Sequence, residues 1–199
     1  MISSLDTLKM AAKIPIEKSK QPDAFSVVTA LLDAEKKTRK EKVIYTFDRL
    51  VGIWNLSFVT GTKTVRKKAG VVLGSGKYIP KLIRISILYS EDQEQSINTG
   101  KVSNSVEFGF LNLNLTGPVK FIKPKNILAF DFTQIGIKIF GFKIYQGYIR
   151  EGKTRENNFG QSKLKEQAFF SYFLIEDNLI AARGKGGGLA LWSRSDKPH

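Results

Sequence analysis

The spacing of apolar residues along this chain changes character near residue 50. Before it, Phe25, Val28, Leu31 and Leu32 recur at the three- and four-residue intervals of a helix that buries one stripe. Pro22 and Asp23 suit a first turn, where a missing N–H is harmless and a carboxylate meets the positive end of the helix dipole. Lys36, Lys37, Arg39 and Lys40 crowd the opposite end, as the same dipole favours. The spacing predicts a helix over 23–40, preceded by a shorter one opened by Ser3 or Ser4. After residue 50 the period falls to two. Short β-rich runs at 53–60, 70–73, 81–89, 105–114, 119–122, 127–133, 136–140, 143–150, 167–175, 179–182 and 188–193 alternate with turn residues.

Several runs have one face that wants water, as where Lys138 stands between Ile137 and Ile139. Thr116-Gly117-Pro118, Lys123-Pro124-Lys125-Asn126 and Glu176-Asp177-Asn178 read as turns between sequential antiparallel strands. So many short strands lose their exposed edges best by closing on themselves, the last against the first. The predicted fold class is therefore mainly β. It is a single antiparallel lipocalin-like β-barrel over 49–195, with an N-terminal helical segment, 1–48, packed on it in one structural domain. The polar stretch 151–165 reads as a long surface loop with a helical turn at 162–167, a place for the barrel's entrance or a partner contact.

Composition narrows the chemistry. The 199 residues suffice for one core. Cysteine is absent and the sole histidine is the terminal His199, which excludes thiolate metal sites, a cysteine nucleophile and a Ser-His-Asp triad. No apolar run approaches the roughly 20 residues of a membrane-spanning helix. The first six residues lack the basic start and apolar stretch of a secretion signal. Lys and Arg number 32 against 18 Asp and Glu, a formal charge of +14 that favours nucleic acid, acidic lipid headgroups or an acidic protein surface. Lys36, Lys37, Arg39, Lys40, Lys67 and Lys68 are the candidate basic surface.

Two glycine-rich stretches fail as phosphate loops. In 70–78 Tyr78 stands where Ser or Thr must hold magnesium, and 184–188 leads into a strand rather than a helix. Glu107 and Asp131 alternate with apolar neighbours, as water-facing strand positions do. A basic barrel with exposed aromatics suits single-stranded nucleic acid, and Tyr145, Tyr148 and Arg150 interleave in that way. Most aromatics, however, lie among aliphatics, as in 169–174, which favours an apolar pocket over nucleic acid. The expectation is binding without catalysis and without a cofactor.

Two constellations mark the ends of the barrel. Gly52 lets the chain turn so that Trp54 swings across one end, its indole N–H needing a partner. Arg183 closes the apolar run 179–182 ahead of a glycine-rich reversal and a last strand ending near Trp192. It is expected either to stack on Trp54, a contact worth roughly 0.5–2 kcal/mol, or to face a ligand headgroup. Phe108, Phe110, Phe130, Phe132, Tyr145 and Tyr172 complete the candidate pocket lining.

Leu50, Gly52 and Trp54 leading into a strand, with Arg183-Gly184, Gly187 or Gly188, and Leu189 to Trp192 at the other end, resemble the plastid lipid-associated protein family, or fibrillins, including its cyanobacterial members. The resemblance implies a lipocalin-like barrel that binds or organises apolar molecules such as lipids, carotenoids or quinones. It implies a location in the cytoplasm or at the thylakoid periphery of a cyanobacterium, or in a plastid, beside the membrane or a photosynthetic complex. The +14 charge departs from the acidic balance common in that family. The alternative is a protein-interaction scaffold whose barrel is filled by its own side chains.

Overall fold

The computed structural model describes residues 2–12, 21–61, 76–91 and 98–195. Two helices, α1 (Ser4–Ala12) and α2 (Ala24–Glu41), precede β1 (Gly52–Thr60), β2 (Gly76–Tyr78), β3 (Ile83–Glu91), β4 (Thr99–Phe108) and β5 (Leu111–Ile122). Then follow β6 (Ile127–Phe130), β7 (Gln134–Ile139), β8 (Phe142–Tyr148), a short helix α3 (Gly152–Asn158), β9 (Ala168–Ile175), β10 (Leu179–Gly184) and β11 (Leu189–Arg194). Hydrogen-bonded neighbours run β1–β11–β10–β9–β6–β5–β4–β3 and back to β1, a closed antiparallel barrel of eight strands. The last strand does pair with the first, Leu56 lying opposite Trp192. The run expected at 70–73 and residues Lys67 and Lys68 lie outside the described residues.

Both leading helices have the caps their sequences call for. Ser3 Oγ accepts the Asp6 N–H at 3.1 Å, and Asp23 Oδ1 accepts the Ser26 N–H at 3.0 Å. Val27, Val28, Ala30 and Leu31, with Leu8, Ala11 and Ala12, pack on the outer wall against Phe58, Phe173, Leu179, Ala181 and Leu191. Phe25 is not part of that stripe but is 66% exposed. At about 100° per residue it points over a third of a turn from the stripe's centre, which is set by the buried Val27, Val28, Ala30 and Leu31.

The middle of the chain departs from the expected strand pattern in two places. The run 105–114 is not one strand: β4 ends at Phe108, the chain reverses through Gly109 and Phe110, and β5 begins at Leu111, directly opposite Phe108. A two-residue turn preserves the alternation on either side, which is why the run read as continuous. Conversely, Thr116-Gly117-Pro118 is no turn, because β5 runs straight through it and the expected segment 119–122 is its second half. A Cβ on Gly117 would sit 1.9 Å from the Asp131 carbonyl oxygen, so this glycine serves close approach of two backbones rather than a reversal.

That approach marks a fork in the barrel wall. The Asp131 N–H donates to the Pro118 oxygen at 3.2 Å and the Thr133 N–H to the Thr116 oxygen at 2.9 Å, so β6 and β7 are successive halves of one line along β5. β6 goes on to pair with β9 and closes the barrel, whereas β7 pairs with β8 and leaves it. The polar stretch expected as a barrel entrance fills the fork instead. Arg155 of α3 pairs with Asp131, and Glu156 Oε2 accepts from Thr133 Oγ1 at 3.0 Å. A Cβ on Gly152 would lie 2.0 Å from the Thr133 oxygen. The expected turns near 162–167 follow, with Glu166 N–H donating to the Lys163 oxygen at 2.9 Å.

Candidate functional site

Inside the barrel the aromatic rings pack on one another. Trp54, Tyr89, Phe121, Phe130, Tyr172 and Trp192 belong to one buried cluster, with Phe132 and Phe170 against it. Phe130 and Phe170 stack with centroids 5.0 Å apart, and Phe170 meets Trp192 edge-on at 5.4 Å. The hydroxyls of Tyr89 and Tyr172 bond to each other at 2.8 Å, and burial pushes both phenols well above their ordinary range. Trp54, Phe130, Phe132 and Tyr172 thus stand on the interior side, where they fill the barrel as core.

The expected Trp54–Arg183 plug is not formed. The Trp54 indole N–H does find its partner, the Leu50 oxygen at 2.7 Å, across the bend at Gly52 (φ +122°). The cation over its ring is Arg194, 4.2 Å from the centroid, because Arg194 is the register partner of Trp54 and so shares its face. Arg183 faces outward with Leu179 and Ala181, toward the helices. Its Nε donates to Glu35 Oε1 of α2 at 2.8 Å and its Nη1 to the Gly187 oxygen at 2.8 Å. That hydrogen bond, with the attraction between the charges, holds the Glu35 carboxyl below its ordinary value. Both faces of β10 are apolar, so no alternation in the sequence revealed which way Arg183 points.

Phe108, Phe110 and Tyr145, also expected in the pocket, lie outside it and exposed. They belong to the part of the sheet that continues past the barrel as β3, β4, β5, β7 and β8. Register aligns their residues in cross-strand rows. Ile83, Phe108, Leu111, Ile139 and Phe142 form one row, and Ile85, Val106, Leu113, Ile137 and Tyr145 form the next. Directly opposed residues of an antiparallel pair share a face, so these ten apolar side chains cover one side of a five-stranded sheet. The same face continues through Ile87 and Leu115 into the barrel interior at Tyr89 and Val102.

On the other face the outermost row reads Arg84, Glu107, Asn112, Lys138 and Lys143. The sheet is therefore amphipathic, yet among the described residues no layer covers its apolar side: each residue of the two apolar rows retains accessible surface, up to 75% at Phe142. Monomers rarely expose contiguous apolar patches beyond a few hundred Å² without a use for them. Two grooves of about 320 and 230 Å³ open among more polar residues, the first beside Lys101, Ser103, Thr116, Gln134 and Glu156, the second beside Asn112, Asn114 and Gln146.

The sequence did carry a signal for this region. Phe108-Gly109-Phe110 and Phe140-Gly141-Phe142 repeat one tripeptide, and each forms a hairpin turn. The two turns touch: Phe110 and Phe140 stack with centroids 4.6 Å apart, and the Phe140 N–H donates to the Phe110 oxygen at 2.9 Å. Lys36, Lys37, Arg39 and Lys40 are exposed on α2, and Arg39 is 3.5 Å from Glu35. No helix among the described residues is long and apolar enough to cross a membrane, and those residues contain no group of carboxylates or imidazoles that could hold a metal.

No family model and no curated protein matches the chain. Among solved structures it is similar to a redesigned β-barrel at 10% identity and a TM-score of 0.37, over 75% of this chain and 94% of that one.

Proposed function

We propose that this protein binds apolar molecules of the lipid, carotenoid or quinone kind, and that it holds them on the uncovered face of the sheet rather than inside the barrel. The observation that carries the reading is the pair of five-residue apolar rows, continuous with the core and open to solvent. Each ligand methylene removed from water there contributes about 0.8 kcal/mol, so an acyl or isoprenoid chain laid along the rows suffices for firm binding. The resemblance of the chain's ends to the plastid lipid-associated proteins supports the same class of ligand, and with it a station at the thylakoid periphery.

The test is titration of a monomeric fluorescent fatty acid against the purified chain and against Leu113→Asn/Ile137→Asn. The double variant is expected to bind on the order of a hundredfold more weakly, having two polar groups where ligand chain must lie. Equal affinity would remove the face from the proposal. The competing reading, a scaffold for another protein, is favoured by the aromatic filling of the barrel. It predicts no binding of the probe by either chain.

A further inference from the structure

We infer that the two Phe-Gly-Phe turns form an anchor that inserts end-on into an anionic lipid surface. This inference rests on the reading above for the chemistry of the partner but concerns a different part of the molecule, the end of the sheet rather than its face. Three turns converge there, since the first apolar row terminates β3, β4, β5, β7 and β8 together. Leu82, Phe110 and Phe140, which lie in the turns beyond the rows, project from it at 79%, 59% and 71% exposure. Exposed rings gathered at the end of a sheet suit insertion into a fluid hydrocarbon layer, which needs no matching pocket to receive them.

The turn itself is held against its preference. Phe140 takes a φ of +50° and Gly141 one of +80° in a two-residue hairpin whose left-handed first position ordinarily goes to Asn, Asp or Gly. A bulky residue in that region is an outlier that points to a use for its side chain. Here the use is to hold a ring outward and stacked on its neighbour from the other hairpin.

Charge selects the surface. Lys138 and Lys143 stand directly opposite each other one residue behind the turn, on the face away from the apolar rows. Like charges in that arrangement oppose folding. Lys143 Nζ donates to Gln146 at 3.3 Å, and among the described residues neither lysine has a carboxylate in ion-pairing range. From 108 to 150 the only carboxylate is Asp131, already paired with Arg155, against Lys120, Lys123, Lys125, Lys138, Lys143 and Arg150. A headgroup phosphate between Lys138 and Lys143 supplies the missing anion. Tyr145 lies one apolar row, about 7 Å, behind the tip, which matches the depth of roughly 5–10 Å at which interfacial segments meet the headgroups.

The experiment is flotation of the full chain with vesicles of phosphatidylcholine, alone or mixed with phosphatidylglycerol. Each variant is paired with the soluble fatty-acid titration and a melting curve. Phe110→Ser/Phe140→Ser is expected to lose affinity for anionic vesicles on the order of a hundredfold while keeping the fatty-acid site. Lys138→Gln/Lys143→Gln is expected to lose roughly thirtyfold on anionic vesicles only. Phe140→Trp should show emission quenched by brominated lipid, against buried Trp54 and Trp192. Vesicle binding untouched by the Phe110/Phe140 change, or equally reduced by Leu113→Asn/Ile137→Asn, overturns end-on insertion and leaves the lipid reading in place. Fatty-acid binding without vesicle binding overturns the anchor alone, and failure of both assays overturns both.

Discussion

The turn at Phe140-Gly141 offers a comparison in which stability and surface binding should part company. Replacing Phe140 by Ala or by Asn removes the ring in each case, so both variants lose the stack on Phe110, worth about 0.5–1.5 kcal/mol beyond its buried area. They differ in the backbone. At φ +50° an ordinary side chain crowds its carbonyl at a cost of about 1–2 kcal/mol, which Asn largely escapes. Phe140→Asn is therefore expected to be more stable than Phe140→Ala by about 1 kcal/mol. Because the lost stack and the relieved strain nearly cancel, it should also lie within about 0.5 kcal/mol of the parent. For a chain of this size that is a gap of about 2–4 °C between the two variants in a calorimetric or circular-dichroism melt. Both should lose vesicle binding to the same degree. If Ala and Asn melt together, the left-handed turn is not what holds this ring outward, and the strain argument for its use fails.

Other expectations follow from the packing. Trp54→Ala should cost roughly 3–5 kcal/mol, seen as a lower denaturation midpoint, because it empties the barrel's end; an unchanged midpoint would remove Trp54 from the core. Gly117→Ala should cost roughly 1–3 kcal/mol or more by forcing Asp131 away from β5, and a neutral effect would place the fork elsewhere. Glu35 is held below its ordinary value of 4.5 by Arg183, so the unfolded chain takes up its proton first as pH falls. The stability it contributes should be full above that value and disappear as pH drops through the lower folded one. The parent and Glu35→Gln should differ near neutrality and converge in acid, and a constant gap down the acid range would refute the linkage.

How much of this was legible beforehand depends on the range of the interactions concerned. The helices were, because caps and an apolar stripe are local: Asp23 accepts from Ser26, and Val28 and Leu31 face the wall as the spacing indicated. Most strands were, because alternation and turn residues are local too, as with β9, the turn at Asp177 and Asn178, and β10. Closure of β11 on β1 followed from the general cost of bare sheet edges. Misread elements were those where one residue type serves two purposes. Gly109 turns the chain within an alternating run, whereas Gly117, beside a proline, lets two backbones pass.

The site was harder to read for a related reason. Phe108, Phe110 and Tyr145 carry the same apolar character as Phe130 and Tyr172, and the sequence alone made all of them lining for one pocket. Periodicity says which residues share a face of a strand, but not whether another layer covers that face. Here the fork at Asp131 and Thr133 decides it, sending β6 around the barrel and β7 away from it. In the same way Arg183 and Arg194 are interchangeable by composition, and only strand register sets one over Trp54 and the other against Glu35. Local propensities settled which elements form, while long-range pairing, in which a shift of one residue turns every side chain over, settled which apolar surface was buried and which was left exposed.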